Sequence, residues 1–550
     1  MDRLLFIVPP YVTFDTFINP AFNERTTKKD SGEYGSVVTD MPFGLLSLSS
    51  YIKAHHPIEV RLLDFNILLN TLDKIIFHSF AELYLETLSQ GDWLDFSPNI
   101  IGISALFTTS YTNMHEIGRV AKDIFPTSLI LAGGGVPTNM YKEIFRDSDS
   151  FDALCYGEGE LPLLKLLESR NRSEFLETHP SWITKSSVRN KKSNQFEFIT
   201  DLDDIPFYDY DLIDVNEYGL NPTISTIVAF ENKSSLFHLV TSRGCTHLCC
   251  YCASHTVHGR TMRYHSTKRV RADLTRLKEQ YGAALIGIQD DNFMADKQRA
   301  IKIIGFAKEL NLKIFFQSGL PLYALDRKML ESIKDAGINE LVLAVESGSN
   351  RVLREVMHKP LDLSIVKHVI KNCRELDIDT DANILIGLPG ETKQDIEEAR
   401  VFLRTLDATW FRIYVATPLV GSEMLEICLN NNYLKGDYIG CDFKRAVVET
   451  EDFTAEYIQE MAYTLNLELN FVENSDMRLG NFEDALKGFE NTIKIKNDHA
   501  LAYYFAAKCY NHLNNNDKYL AYKSVYINII SESEFWRNYA LKFSLPVSFG

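Results

Sequence analysis

Short apolar runs alternate with helical patterns twice along the chain. This double alternation most limits the folds open to it. In the first third, Arg3–Pro9, Ile58–Phe65, Asn99–Ser104 and Ser128–Gly134 read as buried strands, and Pro42–His56 reads as a helix. Asp152–Glu160 closes that series. Strands alternating with helices predict a parallel, doubly wound sheet, which binds ligands beyond the carboxyl ends of its strands. A second series starts at Leu236–Ser242 and continues through Ala284–Ile288, Lys313–Ser318, Glu340–Val345, Asp381–Gly387 and Phe411–Ala416. Six such units predict a partial (β/α)6 barrel with its chemistry at the C-terminal strand ends. Between the two series, residues 171–235 are polar and irregular, as expected of a connector. The charge run SVRNKKSNQ within it reads as a solvated loop tip. The tail beyond 430 is helical. The fold class is therefore α/β with an all-α C-terminal region.

Composition narrows the function. The 550 residues suffice for two to four domains with cores of their own. A net charge of −17 without a long Lys/Arg run argues against nucleic acid as partner. No apolar segment reaches 18 residues, so no membrane span is expected. The N-terminal apolar run is short and interrupted by proline, unlike a signal peptide. Of nine cysteines, Cys155, Cys373, Cys428, Cys441 and Cys509 are scattered. That pattern suits a reducing cytoplasm.

The other four cysteines lie together in Arg243–Cys252, RGCTHLCCYC, directly after a predicted strand. Cys245, Cys249 and Cys252 have the spacing C-x3-C-x2-C. Three thiolates on one loop can hold three irons of a cubane cluster and leave the fourth iron open for chemistry. A zinc knuckle is the competing reading. It needs a fourth ligand, for which His247, His255, His258 and Cys250 are candidates. Cys250 adjoins Cys249, and neighbouring side chains rarely converge on one ion.

The segment resembles the signature of the radical S-adenosylmethionine (SAM) superfamily, including Tyr251 before the last cysteine. The resemblance continues through Gln289–Phe293 (QDDNF), Leu343–Ser349 (LAVESGS), Asn383–Thr392 (NILIGLPGET) and Ala416–Glu423 (ATPLVGSE). It implies a [4Fe-4S] cluster on Cys245, Cys249 and Cys252. It also implies SAM contacts at Tyr251, Asp290, Asp291, Glu346, Ser347, Gly387 and Pro389. SAM would chelate the open iron, and one electron would split it into methionine and a 5′-deoxyadenosyl radical. Taken alone, Asp290 and Asp291 could cap the next helix, and Gly387, Pro389 and Gly390 could be turn punctuation.

The first series has no G-x-G-x-x-G after its first strand, so dinucleotide binding has little support. Gly102–Phe107 (GISALF) and Ala132–Thr138 (AGGGVPT) instead end two strands, and three glycines there would let a bulky ligand approach the backbone. The pattern resembles cobalamin-binding domains. Their S-x-L matches Ser104-Ala105-Leu106, and their glycine pair matches Gly133-Gly134. CYGEGE at Cys155–Glu160 and the helix–strand starting at Met41 resemble the cobalamin-binding radical SAM class over about residues 1–170. Corrinoid contacts are implied at Ser104, Leu106, Gly133, Gly134, Gly135, Gly157 and Glu158. D-x-H-x-x-G, whose histidine ligates cobalt, is absent, and His115 reads as a surface residue on a helix. Methylthiotransferases need three N-terminal cysteines, and this region has only Cys155.

The implied organisation is a cobalamin-binding Rossmann-like domain at 1–170, a connector at 171–235, a radical SAM barrel at 236–430 and a helical region at 431–550. Leu479-Gly480 and Leu513-Asn514 lie 34 residues apart. With Ala485, Phe489 and Ala502 they resemble a tetratricopeptide repeat over about 475–533. A plain helical cap on the barrel is equally consistent. The implied function is cobalamin-dependent methyl transfer to a poorly activated carbon of a small molecule or peptide. A low-potential donor such as a flavodoxin or ferredoxin would supply electrons, and the helical tail offers a surface for a protein partner. Cyclisation or ring contraction with the same cofactors, and a non-catalytic cofactor-sensing scaffold, are the alternatives. The stretch Thr13–Asp40 could line the corrin face or the substrate entrance, or be a surface loop.

Overall fold

The computed structural model describes residues 1–20, 26–37, 39–218, 236–436, 438–439 and 445–547. The end of the expected connector (219–235) and Cys441 lie outside the described residues. The chain divides into two compact units. One comprises Met1–Asn221, Ser235–Ala295 and Thr417–Asp442, and the other Pro222–Ser234, Asp296–Ala416 and Phe443–Gly550.

In the first unit, five parallel strands run in the order Ile58–Asp64, Asp2–Val8, Ile100–Ser104, Leu129–Gly133 and Ala153–Cys155. The central strand Asp2–Val8 is apolar from Leu4 to Val8, and all five of those side chains are buried. A strand covered on both faces needs such an unbroken run. The chain order reverses between Asp2–Val8 and Ile100–Ser104, which makes their carboxyl ends the switch point of the sheet. Helix Tyr111–Ile124 contributes Met114, Ile117 and Ala121 to a core that includes Leu5, Ile7, Ile101 and Ile130.

Three expectations are corrected here. The stretch 171–218 is not an irregular connector: it holds helices Arg172–Thr178 and Lys185–Arg189. Between them lies Trp182–Ile183, an antiparallel edge strand on Ala153–Cys155. Its polar composition hid a two-residue strand whose Trp182 and Ile183 are both buried. Thr13–Asp40 is more than a loop, with a short helix Phe14–Ile18 and a hairpin of Thr26–Lys29 and Gly32–Gly35. His115 is half-buried rather than a surface residue. Its ring packs 4.5 Å from that of Tyr111 and 5.6 Å from that of Phe151.

All six strands of the second series form. Leu236–Leu239 and Leu285–Ile288 pair in parallel within the first unit. Lys313–Phe316, Glu340–Glu346, Asp379–Ile386 and Trp410–Val415 belong to the second, where the last three make a parallel sheet. Helices Ala455–Leu467, Phe482–Ile495, Ala500–His512, Asn516–Glu532 and Glu534–Lys542 follow, around a core with Phe471, Phe489, Tyr526 and Trp536. The helical region is fastened to the strands of its own unit. The Asn470 amide pairs with Phe411, donating to its carbonyl and accepting from its N–H, both at 2.8 Å. A side chain that satisfies a strand's backbone in this way blunts a sheet edge. Arg374 adds an ion pair to buried Asp476 at 2.6 Å, and Arg400 one to Glu468 at 2.6 Å. No described helix is long and apolar enough to cross a membrane.

Candidate functional site

The cysteine loop is the loop of a hairpin. Ser242–Arg243 pairs antiparallel with Arg263–Tyr264, and Gly244 to Met262 run between them. Gly244 turns the chain at φ +93°, where a Cβ would lie 2.5 Å from the carbonyl oxygen of Thr261. Only glycine accepts that conformation at so close an approach. The Cys245 N–H donates to Gly259 O and the Cys252 N–H to Cys249 O, which folds the loop back on itself.

Cys245, Cys249 and Cys252 are in no disulfide and stand at intermediate exposure, whereas Cys250 is buried. The Cys250 carbonyl accepts the N–H of Met424 at 2.9 Å, and burial pushes its thiol up to about 12. Burial also raises the Cys245 thiol. The Asn292 amide lies 4.0 Å from Cys245 Sγ, and the Ser254 hydroxyl 3.4 Å from Cys252 Sγ. Among the described residues no three His, Cys, Asp or Glu side chains converge to hold one metal ion. Three part-exposed thiols on one loop, with the fourth turned into the core, fit the cluster.

Asp290 is 2 % exposed and is committed to the hairpin. It accepts from the Thr241 N–H at 2.5 Å, the Thr241 hydroxyl at 2.6 Å and the Ser242 hydroxyl at 2.5 Å. Asp291 accepts the N–H of Gly244 at 3.2 Å. Neither aspartate caps the next helix. The cap of Lys297–Glu309 is Asp296. Both carboxylates instead hold the strand and turn that carry Cys245.

The last loop of the first sheet reaches the same hairpin. Glu158 and Glu160 are each 4 % exposed. Arg243 lies 3.2 Å from Glu158 and 2.7 Å from Glu160, and it donates to the Ser47 hydroxyl at 3.0 Å. Arg263 grips Glu158 with both terminal nitrogens, at 2.9 and 2.5 Å, and His258 stands 2.9 Å from it. Burial would raise the Glu158 pKa. Arg243, Arg263 and His258 override it and hold the carboxyl well below the usual range.

Two of the three glycines of Ala132–Thr138 are explained within the chain itself. At Gly134, φ is +106° and a Cβ would lie 2.6 Å from Ala105 O; at Gly135 it would lie 2.7 Å from Leu106 O. The chain's own neighbouring loop makes the close approach. Gly133 is different, its nearest neighbour being Cys155 Cβ at an ordinary 3.6 Å. Gly157 has φ +83°, and Phe196 Cδ1 occupies the space of its Cβ. Ser104 ends its strand, half-buried. Leu106 and Phe107 remain 49 % and 39 % exposed at the switch point, and the Phe107 ring sits edge-on 5.9 Å from that of Tyr11. Exposed apolar side chains beside an aromatic pair fit a flat apolar macrocycle.

In the second unit Glu346 ends its strand at φ +68°, unusual for a non-glycine residue, and pairs with Lys359 at 3.2 Å. Ser347 is buried and accepts the N–H of Ser349. Gly387, at φ +90°, would place a Cβ 2.7 Å from Ile458 Cγ2, and Pro389 is buried beside it. Tyr251, in the first unit, is half-buried. Sequence reasoning missed Arg243, Arg263, Glu160, Asn292 and Glu391. Arg243 and Glu160 stand inside the quoted motifs, so charge beside a cysteine loop was an available signal. Arg263 carries no such mark.

Residues 239–403 match the Radical SAM superfamily and residues 36–167 the B12 binding domain. The chain is 27 % identical over 410 residues to the cytidylyl-2-hydroxyethylphosphonate methyltransferase of Streptomyces wedmorensis, covering 68 % of this chain and 76 % of that one. It is 26 % identical over 429 residues to an uncharacterized methyltransferase of Pyrococcus horikoshii, covering 77 % and 86 %. Among solved structures, the cobalamin-dependent SAM radical enzyme OxsB, with aqua-cobalamin and SAM bound, superposes with a TM-score of 0.64. That match has 15 % identity and covers 99 % of this chain and 84 % of that one.

Proposed function

Because a B12-binding domain precedes a radical SAM domain in this one chain, we propose that it methylates a poorly activated carbon as a cobalamin-dependent radical SAM enzyme. The observation that carries the reading is the part-exposed set Cys245, Cys249 and Cys252 on one loop, in one compact unit with the switch point of the first sheet. The cluster and SAM supply a 5′-deoxyadenosyl radical and the corrinoid supplies a methyl group. The three cysteines hold three irons. The resemblance assigns SAM contacts to Tyr251, Asp290, Asp291, Glu346, Ser347, Gly387 and Pro389, and Asp291 and Asp290 also fix the turn before Cys245. Ser104, Leu106 and the backbone of Gly133–Gly135 and Gly157 meet the corrinoid. A corrinoid bound here would do without a histidine of the D-x-H-x-x-G kind, which the sequence lacks.

The substrate is a small molecule or peptide, and a low-potential donor, as a flavodoxin or ferredoxin would be, delivers the electron. The working division is a cobalamin-binding domain at 1–170, a barrel at 236–430 and a helical region at 431–550. A repeat in the helical region is supported by helix spacing. Phe482 and Asn516 begin one pair of helices and Ala500 and Glu534 another, each start 34 residues after its counterpart (516 − 482 and 534 − 500).

The test needs no substrate. The reconstituted protein is incubated anaerobically with cob(I)alamin and SAM labelled as CD3. Labelled methylcobalamin on the protein and 5′-deoxyadenosine under reduction are the expected products. Labelled methylcobalamin that does not form would remove methyl transfer. In Cys245→Ala, 5′-deoxyadenosine is expected to fall to background while methylcobalamin still forms. Undiminished 5′-deoxyadenosine in that variant would take the cluster away from this loop.

A further inference from the structure

The two strands that close the cysteine loop each carry an arginine, and Arg243 and Arg263 are direct cross-strand partners. Like charges directly opposite one another destabilise an antiparallel pair. Both arginines are nearly buried, with side chains 6 % and 9 % exposed, so water does not screen them. One carboxylate answers both: Glu158 receives Arg243 at 3.2 Å and the two-pronged grip of Arg263 at 2.9 and 2.5 Å. His258, inside the cysteine loop, adds a third contact at 2.9 Å. Glu158 is itself held between Gly157 and Gly159, beyond the strand Ala153–Cys155. Arg263 is further fixed by the carbonyls of Ile199 and His258 and lies over the Phe198 ring at 4.4 Å.

We infer that Glu158 is a positioning residue for the cluster, a buried carboxylate that closes the cysteine loop at its base and binds it to the last loop of the first sheet. The loop Gly157–Gly159 and the loop Gly244–Met262 consequently move as one body. A corrinoid held by the backbone of Gly157, next to Glu158, then slows loss of the cluster, because both ligands favour the same closed clasp. This last consequence rests on the function proposed above; the clasp itself does not.

The experiment follows iron loss from the anaerobically reconstituted full chain to an excess of chelator, with and without hydroxocobalamin, beside the electron paramagnetic resonance spectrum of the reduced cluster. Removing one partner from a buried charge cluster leaves the others uncompensated. Glu158→Gln is expected to lose iron about tenfold faster or more, with a shifted spectrum and no protection by hydroxocobalamin. Glu158→Asp is expected to recover part of the retention. Wild-type iron loss and spectrum in Glu158→Gln would overturn the clasp. Arg263→Lys keeps the charge and removes the grip, and gives the same readout if Glu158→Gln does not fold. If the wild type retains no cobalt, the cobalamin reading fails while the iron-loss comparison still decides the clasp. If it takes no cluster, hydrogen exchange across 242–264 decides instead: faster exchange in the variants supports the clasp, and unchanged exchange overturns it.

Discussion

Two buried glutamates hold two strand-end loops, one in each unit, and they lie on opposite sides of the ordinary carboxylate pKa. Glu158 has Arg243, Arg263 and His258 around it, and its carboxyl is held well below the usual range despite burial. Glu391 is fully buried and accepts only backbone N–H groups, from Gly387 at 2.6 Å and Leu388 at 3.2 Å. Its other oxygen has no hydrogen-bond partner among the described residues, and burial pushes the carboxyl up to about 7. The same side chain thus serves as an anion that gathers cations in one loop and as a near-neutral acid that caps a turn in the other. Environment, not residue type, decides which.

Breaking the charged case has the largest expected effect. Arg243→Ala leaves Glu158 and Glu160 with a buried excess of negative charge, and denaturant unfolding should report a loss of about 3–5 kcal/mol. A loss below about 1 kcal/mol, the range of exposed pairs, would mean that the network is solvated. The turn that Glu391 caps comes next. Gly387→Ala forces a Cβ at φ +90° onto Ile458, and about 2 kcal/mol is the expected cost. Thermal unfolding measures it, and an unchanged midpoint would show that the turn yields.

The pH dependences have opposite signs. Glu391 is raised from 4.5, so the native state binds its proton more tightly than the unfolded chain does. Stability from this group is full below pH 4.5 and falls as pH rises through about 7. Glu391→Gln should abolish that slope. Glu158 is depressed, so its contribution is full above 4.5 and lost as pH falls below it. Urea midpoints of wild type and Glu391→Gln between pH 5 and 8 check the first sign, and parallel curves would contradict it. The smallest effect on stability is expected at Leu106, which is half exposed. Leu106→Ser should leave the unfolding midpoint unchanged and weaken hydroxocobalamin retention on desalting. Retention equal to wild type would move the corrinoid away from this edge.

The strands were legible because each is a short apolar run bounded by turn residues, and the observed bounds depart from the expected ones by only a few residues. Trp182–Ile183 was not legible, since two residues make no periodic pattern. The cysteines declared the cluster loop through their spacing. The roles of the flanking charges did not show, because an aspartate that meets a cofactor and one that holds a backbone N–H look alike in sequence. Asp290 and Glu158 are instances: both sit inside recognisable motifs, and both are committed to the cysteine hairpin. Gly134 and Gly135 signalled a close approach correctly. The approaching group is the neighbouring loop, which lies near only after folding.

The central claim is that one chain carries both a corrinoid and a cubane cluster. Its most direct test is the cobalt and iron content per chain after anaerobic reconstitution with iron, sulfide and hydroxocobalamin, followed by desalting. About one cobalt and about four irons are predicted, as one corrinoid and one cubane require. About four irons with no cobalt would contradict methyl transfer through cobalamin and leave a radical SAM enzyme whose first domain has lost its cofactor.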